Sequence, residues 1–302
     1  MKCGTHLSIH KYHLDTLLLG DIAKGRARYM QFSRSQAMER TKQGLETDRK
    51  DFFYYLLNAN DPETGRGFST DELWGESNLL IIAGSDTTST AMAATFFYLA
   101  HNEAALRKCV KQVRETFGDV EEIVNGAKLN ACNYLRACID EAMRMSPPVG
   151  GGLPRTILPG GITIDGHFVP EGIDVCVPHY TLHHNENCYP DPFSYVPERW
   201  IPDQAPPYLA SHVEKAHAAF CAFSIGPRGC IGRGLAYVEL MTTMARCLWL
   251  YDIRLAPGEH KGEGRQDERE CGRQRIAEYQ LRDTFTSAKD GPCLQFRGVA
   301  RE

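Results

Sequence analysis

A long apolar segment, residues 78–100, constrains the fold of this chain more than any other stretch. It carries one charged residue, Asp86, and is long enough for a helix of many turns. Ser69 or Thr70, each followed by acidic residues, caps the start of this helix, which extends to about His101. Because apolar side chains surround it, we expect it to be buried on nearly every side.

Small and polar residues interrupt the centre of this segment, from Ala83 to Thr88. They argue against a membrane span and favour a buried helix with a polar notch. Gly84 and the hydroxyls loosen the helical hydrogen-bond ladder, while Ala83 and Thr87 share one face beside the acid Asp86. Taken alone, this pattern is equally typical of a helix kink filled by water.

A glycine-rich loop at residues 223–232 carries a single cysteine, Cys230, just before an apolar helical stretch at 235–250. A thiolate is stabilised at a helix start, so Cys230 can be a nucleophile, a redox centre or a soft metal ligand. The glycines leave room for a flat partner, whose anionic groups Arg228 can meet. A buried structural cysteine is the alternative, but the spacing Phe-x-x-Gly-x-Arg-x-Cys-x-Gly is hard to reach by accident.

The remaining patterns predict more helices and a few short strands. Further helices are predicted at 22–40, 103–117 and 129–145, with a buried aromatic segment at 51–58. Strands are predicted at 162–164, 168–169 and 175–177, with a β-hairpin formed by 279–285 and 293–296. The fold class is therefore mainly α with small mixed β-sheets.

One charged pair on the helix at 129–145 has two interpretations. Glu141 and Arg144 are spaced to face each other, and an exposed pair of this kind is worth only about 0.2–0.5 kcal/mol. Together with the segment Pro197–Trp200, the cysteine loop and the notch, however, the pair resembles the motif set of the haem-thiolate monooxygenases, the cytochromes P450 of eukaryotic microsomal type. The resemblance runs from about Asp51 to the C-terminus.

This resemblance implies a haem-thiolate monooxygenase fold that lacks its N-terminal portion. We expect one domain over residues 1–302, the C-terminal haem-binding core of the family, with residues 1–50 as a weakly matched helical lead-in. It also implies roles for residues. Cys230 would be the axial thiolate of the iron of haem b, and Asp86 and Thr87 would deliver protons. His183 would be structural.

The other residues implied by the resemblance fall into three groups. The haem contacts would be Phe223, Gly226, Arg228, Gly232, Arg155, Ala83 and Gly84. A buried structural network would be formed by Glu141, Arg144 and Arg199. The substrate pocket would be lined by Val149, Leu153, Thr284, Phe285 and Thr286.

Composition limits the partners. The formal net charge of -4, from 34 Lys and Arg against 38 Asp and Glu, gives no global reason to expect nucleic acid. The resemblance implies a small apolar organic substrate and dioxygen, with electrons from NADPH through a flavin reductase docking near Arg233. Secondary metabolism or xenobiotic oxidation is the expected setting.

The sequence shows no membrane anchor and no Cys-x-x-Cys pair among its 11 cysteines, so we expect an intracellular protein. Members of the family are usually bound to the endoplasmic reticulum, whereas this chain would be cytoplasmic or of unassigned location. Two alternatives remain. One is a truncated, non-catalytic homologue or gene fragment that does not hold haem stably, and the other keeps haem but performs peroxide-driven oxidation or substrate rearrangement.

Overall fold

The computed structural model describes residues 20–45 and 50–300. The chain divides into two compact units, residues 1–85 and residues 86–302. The expectation of a single domain over 1–302 stays a prediction, and the part of the lead-in at residues 1–19 lies outside the described residues.

The first unit contains helix α1 (Gly20–Lys42), helix α2 (Phe52–Asn58) and the start of helix α3 (Thr70–His101). Arg40 ties α1 to the start of α2, because its Nε donates to Asp51 Oδ2 at 2.8 Å while Asp51 caps α2. The predicted burial of residues 51–58 is wrong: Phe52 is 57% and Tyr55 61% exposed. A helix of two turns with apolar side chains all round can bury only part of its circumference.

Ser69, one of the two predicted caps, lies at the start of helix α3 and forms a capping box with Glu72. The Ser69 amide donates to Glu72 Oε2 at 2.8 Å, and the Glu72 amide faces Ser69 Oγ at 3.4 Å. Burial on nearly every side holds only for the second half, where Phe97 is fully buried, whereas Leu79 is 58% exposed. The later turns are covered because they pack against Ala142, Met145 and Tyr279.

The second unit is built around one buried helix. Its helices are the end of α3 together with α4 (Glu103–Thr116), α5 (Ala127–Asn130), α6 (Asn133–Met145), α7 (His179–His183), α8 (Pro207–Ala210), α9 (Val213–Ala219) and α10 (Arg233–Leu250). Helix α6 is buried from Tyr134 to Met145 apart from Arg136, and it packs against α4 and α10. The helix predicted at 129–145 is broken before Asn133, because Gln112 Oε1 accepts both the Tyr134 and the Leu135 amides at 3.1 Å.

The described strands form three two-stranded antiparallel sheets rather than mixed ones. They pair β1 (Arg155–Thr156) with β4 (Asp174–Val175), β2 (Ile162–Ile164) with β3 (His167–Val169), and β5 (Tyr251–Leu255) with β6 (Leu294–Gly298). The predicted hairpin of 279–285 with 293–296 is wrong. Strand β6 pairs instead with β5, which follows α10 directly, and Tyr279 turns into the core with 2% exposure.

The expectation of a mainly helical fold with small sheets is confirmed. Over the residues that can be described, none of the helices combines the length and the apolar character needed to cross a membrane.

Candidate active site

The cysteine loop is a tight turn that ends just before helix α10. Residues Gly226–Arg228 form a 3-10 turn, and the amide of Cys230 donates to the carbonyl of Phe223 at 2.8 Å. Gly226 adopts φ +71°, in the left-handed region that a side chain would strain. Because α10 begins at Arg233, the loop holds the Cys230 thiol close to a helix start.

The Cys230 side chain is exposed and lies in a stretch of uncovered apolar residues. Ile231 is 97% exposed, Ile225 is 75% exposed, and Leu235 on the first turn of α10 is 45% exposed. Moving apolar side chains out of water lowers the free energy, so this stretch favours an apolar partner.

The other residues of the loop differ in their contacts with the rest of the chain. The Phe223 ring packs against Tyr237 with centroids 5.0 Å apart. A Cβ at Gly229 would lie 3.1 Å from the Gly226 carbonyl oxygen, so the loop itself needs glycine there. A Cβ at Gly232 would lie 3.8 Å from Cys230 Sγ, an ordinary contact, so the chain's own atoms do not require this glycine.

Two predicted anion-binding arginines are exposed. Arg228 lies in the loop, and Arg155 lies in β1, where its Nη1 donates to the Pro154 carbonyl at 2.9 Å. Within residues 20–45 and 50–300, neither guanidinium forms a salt bridge, and no hydrogen bond joins Arg155 to the cysteine loop. Both charges are therefore open to an external anion.

The notch on α3 does not break the helix. The Ser85 hydroxyl donates to the Ile81 carbonyl at 2.7 Å, and the Thr90 hydroxyl donates to the Asp86 carbonyl at 2.8 Å, so hydroxyls bond backward as expected. Asp86 is exposed and Thr87 half-buried. The helix has no break at Ala83 or Gly84.

The structure brings Asp86 together with one of the predicted pocket residues. Thr286 Oγ1 lies 3.4 Å from Asp86 Oδ2, although the two residues are 200 positions apart in the chain. Close by, Lys289 Nζ donates to Ser89 Oγ at 2.8 Å. The acid on α3 therefore faces the loop that carries Thr284, Phe285 and Thr286.

The two predicted pocket segments also meet. Val149 and Leu153 are half-buried, and their segment contacts the same loop, because the Ser287 amide donates to the Pro148 carbonyl at 2.7 Å. Asp283 packs against Gly151, where a Cβ would lie 2.5 Å from Asp283 Oδ2. No sequence pattern indicates these contacts, because each depends on how segments far apart in the chain approach one another.

Glu141, Arg144 and Arg199 form one buried charge network. Arg144 Nε donates to Glu141 Oε2 at 2.9 Å, and Arg199 Nε donates to Glu141 Oε1 at 3.0 Å, with all three side chains at most 2% exposed. Trp200 Nε1 adds a third donor at 3.0 Å, and the Val196 amide a fourth at 3.1 Å. Burial alone would raise the pKa of Glu141, but the two arginines and these donors outweigh it and lower the pKa.

His183 binds the chain two residues before the cysteine loop. Its Nε2 accepts the Cys221 amide at 3.0 Å, so its proton lies on Nδ1. Burial, and then the positive charge of Arg144, lower the pKa of His183 to about 3. Because the imidazole is neutral, it serves as a fixed acceptor just upstream of the loop.

Comparison with known proteins decides the family. A family model described as Cytochrome P450 matches residues 17–269. The chain belongs to the cytochrome P450 family. It is 43% identical to a cytochrome P450 monooxygenase of Gibberella zeae over 95% of this chain and 65% of that protein. It is 40% identical to the cytochrome P450 monooxygenase poxM of Penicillium oxalicum over 96% of this chain and 52% of that protein.

The fold agrees with this cytochrome P450 assignment. A crystal structure of a cytochrome P450 superposes with a TM-score of 0.72 at 21% identity, covering 93% of this chain and 58% of that one. The chain spans between half and two thirds of the length of the two curated relatives above.

Members of the P450 family hold haem through a cysteine thiolate, and the loop fits that group. Cys230 supplies an exposed soft donor, and Ile225 and Ile231 supply apolar surface for a flat ring. Gly232 has no side chain to occupy the space beside the thiol, where a Cβ would lie 3.8 Å from Cys230 Sγ. Arg228 supplies a free positive charge for a carboxylate of the group.

Proposed function

We propose that the protein is a haem-thiolate monooxygenase that inserts one oxygen atom from dioxygen into a small apolar organic substrate. The observation that carries this proposal is the exposed Cys230 thiol at the head of α10, in a chain of the cytochrome P450 family. Haem bound there through the thiolate would supply the activation of dioxygen.

The chain's own residues divide the remaining work. Cys230 Sγ would hold the iron, with Phe223 packed beside it and Gly226 and Gly232 allowing close approach. Arg228 and Arg155 would bind the two propionates, which is supported by the lack of a salt bridge to either guanidinium among the described residues.

Protons would pass through α3. The carboxylate of Asp86 is exposed, so water reaches its oxygens. Asp86 would pass a proton inward, and the hydroxyl of the next residue, Thr87, would hold and orient it.

The substrate pocket would be lined by Val149, Leu153, Thr284, Phe285 and Thr286. The contacts between neighbouring residues of the two segments, Ser287 with Pro148 and Asp283 with Gly151, support this. Electrons would come from NADPH through a flavin reductase, and secondary metabolism or xenobiotic oxidation is the proposed setting.

The proton role has a direct test. In haem-loaded protein supplied with a flavin reductase and NADPH, we expect Asp86→Asn and Thr87→Val each to lower product formation by about 100-fold or more, with more peroxide released per NADPH. Ser85→Ala removes a hydroxyl that donates to the Ile81 carbonyl of its own helix, and should leave product formation unchanged. Undiminished product from the Asp86 and Thr87 variants would overturn the assignment.

A further inference from the structure

The loop at residues 283–289 is fastened to α3 on one side. Besides the contact of Thr286 Oγ1 with Asp86 Oδ2 at 3.4 Å, Thr90 Oγ1 reaches the Ser287 carbonyl at 3.3 Å. Lys289 Nζ donates to Ser89 Oγ at 2.8 Å and to Thr90 Oγ1 at 3.2 Å. These contacts surround the helical turn that carries Asp86.

On its other side the loop is fastened to the segment after α6. The Ser287 amide and hydroxyl donate to the Pro148 and Pro147 carbonyls at 2.7 and 3.1 Å, and Ser287 is only 7% exposed. Buried hydrogen bonds are costly to break, so the backbone beside Thr286 is held in place.

The tip of the loop is built to hold a strained residue. Phe285 has φ +78°, an unusual conformation for a bulky side chain, and its ring is 65% exposed. Asp283 Oδ1 accepts the Phe285 amide at 3.1 Å, and Thr284 Oγ1 donates to the Thr286 carbonyl at 2.6 Å. Strain that is held by surrounding contacts is typical of functional positions.

We propose that Thr286 is a positioning residue for Asp86, a role that rests on the proposed function of Asp86 in proton delivery. Among the described residues, Thr286 is the one side chain whose hydrogen bond reaches the Asp86 carboxylate. An exposed carboxylate rotates freely, whereas the Thr286 hydroxyl is carried by a fixed backbone and selects one orientation.

The length of the contact suits this role. At 3.4 Å it is longer than the usual 2.7–2.8 Å of an O–H···O bond, so a small rotation of either side chain strengthens it. Contacts at catalytic groups commonly tighten when substrate binds. Phe285, whose exposed ring neighbours Thr286, would bring bound substrate close to this contact, and rotation of the Thr286 or Asp86 side chain on the fixed backbone would then shorten it.

The test compares Thr286→Val, which keeps the shape and removes the hydroxyl, with Thr286→Ser, which restores it. Thr64→Val is the matched control, since Thr64 Oγ1 donates to the Asp61 carboxylate at 2.9 Å in an exposed loop of the first unit. Two quantities are measured: the carboxyl carbon NMR signal of Asp86, identified by its loss in Asp86→Asn, and the product formed per NADPH by haem-loaded protein.

Thr286→Val should shift the Asp86 signal and lower product per NADPH by about threefold to tenfold, as expected for one lost hydrogen bond. Thr286→Ser, which restores the hydroxyl, should recover most of both effects, and Thr64→Val should match the parent in both measurements. An unchanged signal and unchanged coupling in Thr286→Val would overturn the positioning role. If the signal moves but the parent forms no product, the hydrogen bond stands and the proposed function is wrong.

Discussion

His183 is a buried imidazole whose surroundings keep it neutral. Burial and Arg144 lower its pKa to about 3, and burial together with Arg144 lowers the pKa of the neighbouring His184 to about 4. An unfolded histidine titrates near 6.5. Below that pH the unfolded chain binds protons that the folded chain does not. The free energy of unfolding therefore has its full value above about pH 6.5 and falls as the pH drops toward 3.

His183→Gln should remove its share of this acid sensitivity. We expect the variant to be less stable than the parent at pH 7, with the difference in unfolding free energy narrowing by about 2 kcal/mol at pH 5. Urea unfolding at both pH values measures this. His167→Gln, at an exposed strand residue, should keep the parent's pH dependence, and a constant difference for His183→Gln would show that His183 is not held neutral.

Single residues were predictable where a local pattern specifies them. Ser69 caps α3, as one of the two predicted caps, and the backward hydrogen bonds of the hydroxyls on α3 follow from their chemistry. The contact between Asp86 and Thr286 was not predictable, because nothing in either segment indicates a partner 200 positions away. The exposure of Asp86 was also missed, since an apolar run signals a preference for burial and not what covers it.

At the scale of elements, the Glu141 network joins helix α6 to the 3-10 turn Pro197–Trp200. Helical spacing alone gave the exposed interpretation of Glu141 and Arg144, and only the resemblance pointed to a buried network with Arg199. The geometry agrees with the buried interpretation, because Glu141 accepts from both arginines and from Trp200. Two buried guanidinium groups depend on one carboxylate.

Glu141→Gln should be strongly destabilising. The amide removes the negative charge that both arginines face, and breaking a buried ion pair costs about 3–5 kcal/mol. Urea unfolding measures the loss. Glu103→Gln disrupts the exposed pair with Arg107 on α4 and should have no measurable effect. A loss for Glu141→Gln as small as that of the control would mean that the network contributes little.

Strand pairing shows the limit of prediction at this scale. Residues 293–296 were recognisable as a strand by composition, and the observed strand β6 covers most of them, but its partner was not recognisable. The preceding segment offered a short turn, Gly291-Pro292, and so a hairpin with 279–285. Residues 251–255 pair with β6 because they directly follow α10, which places them beside that strand. Tyr279 is instead buried, with its ring packed against Phe97 and its hydroxyl donating to the Gly291 carbonyl.

For the whole molecule, the fold class and the family were predictable because several motifs occur in one order. The burial of individual surfaces was not predictable. In the first unit, Phe52, Tyr55 and Leu79 were expected to be buried and are mostly exposed. The central claim concerns the second unit, where Cys230 stands exposed at the head of α10 and fits the thiolate ligand of haem.

The absorption spectrum of the reduced, carbon monoxide-treated protein tests that claim most directly. Haem-supplied parent protein should show the red-shifted band of a thiolate-bound haem, and Cys230→His should lose this band in favour of an imidazole-type spectrum. Cys176→Ser, at another exposed cysteine, should keep the parent spectrum. An imidazole-type or free-haem spectrum from the parent, or a red-shifted band that survives in Cys230→His, would contradict the assignment of Cys230 as the ligand.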